Sequence, residues 1–370
     1  METDHITRLL NRALAQDWLS SAEGALLYRN APLSELMYTA HTLRMEKHPQ
    51  REVTWILDRN INYTNICTTQ CRFCNFSRIP SHPDGYITTM EEYRQKIDEL
   101  RACGGNQILL QGGIHPDLGL EYYTRLFLEL KAEFPGLKLH ALGPHEIFAL
   151  ARKEKKSLRE TLTLLMDAGL DSLPGAGAEI LSDRVRKIVS PAKCTTVQWL
   201  EVMREAHSLG LVTSATMMYG HAETLEERMD HLVLIRSLQA ERDDDKPGFI
   251  SFTAWPFQSK GTVLESKYDY RSEGNIDQFL RMNALIRIML PNIQNIQASW
   301  LTAGRQAAQL SLWGGVNDMG SIMMEENVVS AAGAEKSFTS VENMEQMIGQ
   351  AGFTPVQRDQ QYRTVKNRSL

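Results

Sequence analysis

Short apolar runs alternate with longer amphipathic stretches along most of this chain, starting near residue 53. The strand-like runs lie at 55–63, 107–113, 137–142, 171–177, 212–220, 248–257, 295–300 and 318–324. Helix-like segments such as TMEEYRQKIDELRAC and TLEERMDHLVLIRSLQ separate them. Repeated strand–helix units predict a parallel sheet. Eight such units in succession favour a closed α/β fold, the (β/α)8 barrel of the TIM type, over an open doubly wound sheet.

Two extensions flank the predicted barrel, which we place at residues 51–335. Residues 1–50 are predicted to be helical, since Ser20 and Glu23 offer a capping box and a further helix can begin near Pro32. Residues 336–370 predict one helix followed by a polar tail that we expect to fray.

Composition limits the classes of partner. The formal net charge of −5 gives no basic surface for nucleic acid. No run of about 18 apolar residues is present, and the N-terminus lacks the apolar core of a signal peptide. We therefore expect no membrane partner and a cytoplasmic location, where clustered cysteines bind metal more often than they form disulfides.

The stretch CTTQCRFC holds three of the five cysteines, Cys67, Cys71 and Cys74. It follows the first predicted strand, so it lies in the first βα loop, on the face where barrels carry their chemistry. Three thiolates leave a closed zinc site one ligand short, whereas an iron–sulfur cluster on three thiolates keeps one iron open. Cys103 and Cys194 are isolated and are interpreted as packing residues.

The Cys-x3-Cys-x2-Cys spacing after a first barrel strand, with Phe73 before the last cysteine, resembles the radical S-adenosylmethionine (SAM) superfamily. The resemblance implies a 4Fe-4S cluster on Cys67, Cys71 and Cys74, with SAM bound to the open iron. An electron from the cluster would then cleave SAM to a 5′-deoxyadenosyl radical. The resemblance also implies a reducing partner such as flavodoxin or ferredoxin.

The same resemblance implies a set of SAM-binding positions. A Gly-Gly pair ending the second strand lets the backbone approach the SAM amino group, although a simple strand break is the alternative. Glu179 matches a carboxylate that binds the ribose hydroxyls, and Arg184 either reaches the SAM carboxylate or forms a surface salt bridge. The full predicted set is Phe73, Gln111, Gly112, Gly113, Glu179, Arg184 and Gly220.

Longer blocks resemble one subgroup of the superfamily. GAEILSDRVRKIVSPAK, ATMMYGHAET, WPFQSKGTVL and SIMMEENVVSAAG are most similar to the cyclic dehypoxanthinyl futalosine synthases, with alanine at Ala176 where a second glycine is expected. The resemblance implies cyclisation of dehypoxanthine futalosine in menaquinone biosynthesis, by removal of the ribose C4′ hydrogen and addition to the benzoate ring. The alternatives are aminofutalosine synthase or a deazaflavin synthase subunit of the same subgroup and, from another class, a zinc-stabilised binding or hydrolytic barrel.

Such a substrate needs acceptors for its hydroxyls, donors for its carboxylate and apolar walls for its ring. The residues at the predicted strand ends that offer these groups are Asn65, His115, Glu223, Trp255, Gln258, Ser299 and Trp300. His221 and Tyr63 are the candidates for the base that removes the final proton. The alternatives are that Glu223 caps the next helix, His221 bonds its own loop and the tryptophans pack the barrel.

Overall fold

The computed structural model describes residues 2–272, 275–322, 324–327, 331 and 339–365. Within these ranges one sheet contains ten strands, every pair of which is parallel. The strands are β1 (Glu52–Ile56), β2 (Asp58–Asn62), β3 (Gln107–Gln111), β4 (Lys138–Ala141), β5 (Ser172–Leu173), β6 (Val212–Tyr219), β7 (Phe249–Pro256), β8 (Asn295–Ala298), β9 (Asp318–Ser321) and β10 (Thr354–Gln357).

Helices separate most of these strands. The α-helices of the described ranges are α1 (Glu2–Leu14), α2 (Ser21–Asn30), α3 (Leu33–Lys47), α4 (Met90–Ala102), α5 (Leu120–Glu133), α6 (Pro144–Glu154), α7 (Leu158–Asp167), α8 (Asp183–Val189), α9 (Thr196–Ser208), α10 (Leu225–Glu241), α11 (Val263–Tyr268), α12 (Ile276–Met289), α13 (Trp300–Ala303), α14 (Arg305–Ser311) and α15 (Val341–Gln350). No helix in this part of the chain has the length and apolar character needed to cross a membrane.

The sheet curls round because its first strand is split in two. The strand order is β10-β1-β9-β8-β7-β6-β5-β4-β3-β2. The terminal strand β2 follows β1 directly along the chain, after the single residue Leu57. The run 52–62 therefore bonds to β9 through its first half and to β3 through its second. The predicted TIM-type barrel is confirmed, and each of the eight predicted strand runs contains strand residues.

The N-terminal helices begin where the sequence predicts. Ser20 accepts a hydrogen bond from the Glu23 amide and completes a capping box, and α3 begins directly after Pro32. Helices α2 and α3 both pack against α12. Gly24 lies close to this junction, since a Cβ there would stand 3.0 Å from the sulfur of Met289.

The C-terminal tail differs from the sequence-based expectation. After α15 the chain adds strand β10, which pairs with β1 over Glu52–Trp55. Arg358 then bonds the carbonyl of Trp55 and is only 4% exposed, so this polar stretch is anchored and not frayed. Pro355 and its polar neighbours resemble a loop in the sequence, but proline is compatible with an edge strand such as β10. The predicted boundary near 335 and residues 366–370 lie outside the described ranges.

The barrel encloses a lumen of about 370 Å³. Side chains alternate across a strand, so Asp58 and Asn60 of β2 line the lumen while Ile61 is buried in the hydrophobic core. Tyr63 continues that alternation and meets the ring of Tyr123 on α5 at a centroid distance of 5.2 Å. This alternation decides which predicted residues can reach a ligand inside the barrel.

Candidate active site

The cysteine loop lies at the carboxyl end of β2. Cys67, Cys71 and Cys74 are each half-buried, and the Cys67 sulfur accepts a hydrogen bond from the Ile114 amide at 3.4 Å. Among the described residues, no three His, Cys, Asp or Glu side chains stand together as a site for one metal ion. An iron–sulfur cluster does not need such a grouping, because each thiolate binds a different iron. Cys103 is exposed and Cys194 is buried.

The Gly-Gly pair at the end of β3 packs against this loop. A Cβ at Gly113 would stand 2.2 Å from the carbonyl oxygen of Ile66, and one at Gly112 would stand 2.8 Å from the Tyr63 ring. Both distances are far below van der Waals contact, so the fold itself requires glycine at these positions. Binding of the SAM amino group by Gly112 and Gly113 stays a prediction.

Glu179, near the cysteine loop, combines a buried carboxylate with an unusual backbone conformation. It is 8% exposed and has a left-handed backbone with φ of +41°, which is costly for a residue other than glycine. Its Oε1 accepts a hydrogen bond from Lys193 at 2.7 Å, while its buried Oε2 has no hydrogen-bond partner in the described structure. A buried carboxylate oxygen without a partner is a fit for a ligand hydroxyl.

Lys193 brings a positive charge to the same place. Its ammonium lies 5.2 Å from the centroid of the Phe73 ring and forms the ion pair with Glu179. Burial alone would lower the pKa of Lys193, but the neighbouring Cys71 and Glu179 raise it above its ordinary value. Lys193 therefore remains a cation beside the cysteine loop. Lys193 cannot be identified from the sequence, because nothing in the segment SPAK distinguishes this lysine from a surface one.

Two predicted SAM positions lie elsewhere. Arg184 donates to Glu227 at 2.8 Å and to the Ala222 carbonyl at 2.9 Å, and its side chain is half exposed. The surface salt bridge considered as its alternative is thus what the structure contains. Gly220, with φ of +88°, borders a separate cavity of about 420 Å³ that is also lined by Tyr28 and Arg228.

Seven predicted residues do meet in the lumen. The SAM-site candidates that line it are Phe73, Gln111 and Glu179, and the substrate-site candidates that line it are Trp255, Gln258, Ser299 and Trp300. Trp300 also donates its indole N–H to the Ser321 carbonyl at 2.9 Å, so this residue both packs the barrel and walls the cavity.

Asn65 and His115 do not line the lumen, and both serve their own loops. The amide of Asn65 donates to the Asp84 carbonyl at 2.9 Å and accepts from the Tyr86 N–H at 3.0 Å. The ring of His115 accepts from the amide of Asp117 at 3.1 Å. The prediction that these two residues contact substrate has no support in the cavity lining.

Tyr63 is unsuitable as a base. Its side chain is fully buried outside the lumen, and its hydroxyl donates a hydrogen bond to Glu146. Burial, reinforced by Glu146, raises the pKa of Tyr63 well above its ordinary value, so the phenol keeps its proton. Burial also raises the pKa of Glu146 to about 7. Strand alternation turns residue 63 towards α5, so no contact in the described structure supports Tyr63 as the base.

The polar atoms of His221 and Glu223 are hydrogen-bonded within the loop after β6 and to Arg228. The Glu223 carboxylate accepts from the amides of Gly220 and His221 and from Arg228, while His221 Nε2 lies 2.8 Å from the Met218 carbonyl. Burial would raise the pKa of Glu223, but His221 and Arg228 lower it to about 2. These contacts support the alternative that His221 bonds its own loop. Thr224, not Glu223, caps α10.

The deeper lumen contains polar residues that the sequence analysis missed. They are Asp58, Asn60, Gln107, His140, Ser251, Gln360 and Tyr362. The alternation of β2 could have identified Asp58 and Asn60 as inward-facing. Gln360 and Tyr362 come from the tail that was expected to fray, and no local pattern places them inside the barrel.

Comparison with known proteins gives the class first. The radical SAM superfamily model matches residues 61–235, and methylornithine synthase superposes with a TM-score of 0.71 at 19% identity, covering 94% of this chain and 97% of that structure. The hydrogenase maturase HydG from Carboxydothermus hydrogenoformans gives 0.70 at 16%, covering 98% and 81%. At these identities the structures establish the fold alone. The chain has the fold and cysteine loop of a radical SAM enzyme.

The particular family follows from closer relatives. A model described as the CofH/MqnC C-terminal region matches residues 246–369. The cyclic dehypoxanthine futalosine synthase of Streptomyces coelicolor is 41% identical over 96% of this chain and 87% of its own length, and that of Halalkalibacterium halodurans is 38% identical over 98% and 95%. The Methanosarcina mazei protein named 5-amino-6-(D-ribitylamino)uracil–L-tyrosine 4-hydroxyphenyl transferase 1 is 39% identical over 93% and 90%. The chain belongs to the CofH/MqnC family of radical SAM enzymes.

The cofactors of this enzyme are a 4Fe-4S cluster and SAM, which removes the zinc alternative. The residues fit them, because one loop supplies three thiols and the Glu179 carboxylate has an oxygen free for a ribose hydroxyl. We expect the three cysteines to hold the cluster and Glu179 with Lys193 to hold SAM. When bound, the two cofactors supply a 5′-deoxyadenosyl radical.

Lys193→Met is expected to weaken SAM binding about 10- to 100-fold, the usual range for losing a hydrogen bond to a charged group. The reason is that the substitution removes the largely buried cation and leaves Oε1 of Glu179 without its ammonium partner. The measurement is the SAM dissociation constant of the cluster-loaded protein by anaerobic equilibrium dialysis. The control is Lys187→Met on the exposed face of α8. Equal SAM affinity in both variants would contradict the assignment.

Proposed function

We propose that this enzyme converts dehypoxanthine futalosine to its cyclic form in menaquinone biosynthesis. The observation that carries the proposal is the similarity to two cyclic dehypoxanthine futalosine synthases at 41% and 38% identity over 96% and 98% of the chain. The match extends through the C-terminal region, which supplies part of the lumen wall. The similarity therefore includes residues that would contact substrate.

The proposed reaction consists of a hydrogen abstraction, a carbon–carbon bond formation and an oxidation that restores the aromatic ring. The 5′-deoxyadenosyl radical removes the hydrogen atom from ribose C4′ and becomes 5′-deoxyadenosine. The C4′ radical adds to the benzoate ring and forms the new carbon–carbon bond. Loss of one electron, for which the oxidised cluster would be the acceptor, and of one proton then restores aromaticity, so the product contains two hydrogens fewer than the substrate. The electron that starts SAM cleavage comes from a reducing partner such as flavodoxin or ferredoxin.

The lumen suits a carbon radical of this kind. Trp255, Phe257 and Trp300 provide aromatic walls, and the tail closes one end of the cavity through Arg358 and Tyr362. Such a chamber keeps water and stray hydrogen donors away from the radical. His221 and Tyr63 lie outside this lining, so neither is placed to remove the final proton.

A second candidate reaction is that of the tyrosine hydroxyphenyl transferases. The observation in its favour is the 39% identity to the Methanosarcina mazei protein over 93% of the chain. It would use the same cofactors and a different pair of substrates in the same lumen. The first candidate is preferred because both relatives with that name match over more of the chain, and one of them matches at higher identity.

The deciding experiment is an anaerobic reaction of the reconstituted enzyme with SAM, dithionite and dehypoxanthine futalosine. We expect 5′-deoxyadenosine together with a product two hydrogens lighter by mass spectrometry. Deuterium placed at ribose C4′ should appear in the 5′-deoxyadenosine. An adenosyl group in the product would favour the aminofutalosine synthase reaction instead. 5′-Deoxyadenosine formed only with tyrosine and 5-amino-6-(D-ribitylamino)uracil would favour the transferase.

A further inference from the structure

Three polar atoms of lumen-lining residues are buried without a hydrogen-bond partner in the described structure. They are Oδ1 of Asn60, Oε1 of Gln107 and the hydroxyl of Tyr362, which lies near the Ser251 side chain without forming a hydrogen bond of regular geometry. A buried polar atom left unpaired costs about 1–3 kcal/mol, so folded proteins rarely keep several in one place without a purpose. Their common location suggests that a ligand completes their hydrogen bonds.

The orientation of the Gln107 amide is fixed by its neighbour. Its Nε2 donates to Oδ2 of Asp58 at 3.1 Å, and the other carboxylate oxygen of Asp58 accepts from the Ser321 hydroxyl. Both Asp58 oxygens therefore act as acceptors in the structure, and the amide nitrogen of Gln107 faces Asp58. The unpaired atom is therefore a carbonyl oxygen, and it requires a donor. Gln107 is 2% exposed, so bulk water cannot serve as that donor.

Asn60 lies two residues beyond Asp58 on β2, at the next position that faces the lumen. Asp58 is in register with Gln107, and Asn60 is in register with Leu109. The two unpaired carbonyl oxygens thus belong to neighbouring strands and to successive inward-facing positions. Two acceptors spaced in this way suit a ligand that carries more than one hydroxyl group.

The third atom is presented by a segment that we call the floor segment, residues 357–365. Val365 N–H donates to the Gln357 carbonyl at 2.9 Å and closes the segment on itself. The Arg358 guanidinium lies 3.9 Å from the centroid of the Tyr362 ring, and Arg358 itself is held by the buried Asp318. Tyr362 has a left-handed backbone with φ of +59°, a conformation that a bulky residue adopts only when its surroundings impose it.

The charges around these atoms favour a neutral ligand group. The cation that lines this end of the lumen, Arg358, is already neutralised by Asp318. Asp58 adds a further acid whose pKa is raised by burial. A carboxylate would gain little here, whereas a hydroxyl can donate to the amide oxygens and share a proton with the tyrosine.

We propose that Asn60, Gln107 and Tyr362 form a hydroxyl-binding subsite that holds the ribose hydroxyls of the substrate. The inference rests on the proposed function, since the sugar is that of dehypoxanthine futalosine. It places the ribose contacts inside the lumen, which the predicted substrate residues Asn65, His115 and Glu223 do not line. It also makes the C-terminal tail a determinant of substrate binding.

Tyr362→Phe tests the subsite, because it removes the hydroxyl and keeps the ring that packs on Arg358. We expect KM for dehypoxanthine futalosine to rise about 3- to 10-fold, as for a lost neutral hydrogen bond. The SAM dissociation constant and the iron content should not change. Asn60→Leu, which has nearly the same shape, should give a similar increase. The matched control is Tyr93→Phe, since Tyr93 is a buried tyrosine of α4 that lies outside the lumen, with its hydroxyl near Tyr122.

A substrate analogue that lacks one ribose hydroxyl separates direct contact from a general structural effect. If the subsite binds that hydroxyl, the analogue should bind less well to the wild-type enzyme, and Tyr362→Phe or Asn60→Leu should weaken it further by much less than it weakens the substrate. Unchanged KM in both variants, or equal losses for substrate and analogue with each, would overturn the inference. Failure of the proposed function gives a different result, because the wild-type enzyme would then not turn over dehypoxanthine futalosine at all.

Discussion

Replacing Cys67, Cys71 or Cys74 with alanine is expected to abolish SAM cleavage, with 5′-deoxyadenosine falling below detection. Each of these cysteines lies in the single loop that follows β2, and each is half-buried. Loss of one thiolate leaves two protein ligands for a cluster that needs three in order to keep one iron open for SAM. The loss should therefore be nearly complete, not graded.

Cys103→Ala and Cys194→Ala are the matched controls for this result. Cys103 is exposed at the end of α4, and the Cys194 sulfur lies 3.6 Å from Arg186 Nη2 outside the cysteine loop. Both controls should keep full iron and sulfide content, the EPR signal of the reduced cluster and 5′-deoxyadenosine formation. A cluster lost in either control, or retained with activity in a loop variant, would refute the ligand assignment.

The cysteine loop could be predicted from sequence because its chemistry is local. Three ligands within eight residues reveal themselves by spacing, and the position after a strand assigns them to the functional face. The ion pair between Glu179 and Lys193 is not local in this sense. Fourteen residues separate the two, and their contact depends on the strained backbone of Glu179 and the path of α8. No spacing rule in the sequence reports such a contact.

The barrel strands were predictable for a similar reason, and the exceptions are instructive. Alternating apolar runs identified each strand from β2 to β9, but the break at Leu57 that lets one run bond to both β9 and β3 is a property of sheet closure. The same alternation, applied to Tyr63, would have turned it away from the lumen. Its selection as a base followed from residue type alone, which carries no information on orientation.

The tail was beyond sequence reasoning because its stabilising contacts are distant in the chain. Residues 357–365 are polar, so they predict an exposed end. What anchors them is the ion pair between Arg358, 4% exposed, and Asp318, 0% exposed, which is forty residues away in the sequence. A charge buried so completely can be tolerated only with its partner in place. The tail therefore contributes to the stability of the barrel.

Asp318→Asn is expected to destabilise the protein by about 3–5 kcal/mol, the usual cost of leaving one member of a buried ion pair without its partner. Arg358→Met should cost less. After that change Asp318 still accepts from the Thr54 hydroxyl at 2.5 Å and the Gly320 amide at 2.8 Å. In Asp318→Asn the guanidinium loses its neutralising charge and keeps one acceptor oxygen in place of two. The difference in the free energy of unfolding between the two variants measures how much more the buried guanidinium than the buried carboxylate needs its partner.

The measurement is the urea midpoint of the apo-protein under reducing conditions, converted with the wild-type slope. Arg363→Met is the control, because Arg363 forms an ion pair with Asp359 while its side chain is 67% exposed, and exposed pairs contribute about 0–1 kcal/mol. If Asp318→Asn lost no more stability than this control, the tail would not be anchored by the buried pair. If it lost stability as expected, the floor segment would loosen with it. KM for dehypoxanthine futalosine should then rise in the folded population, since Tyr362 is held against Arg358.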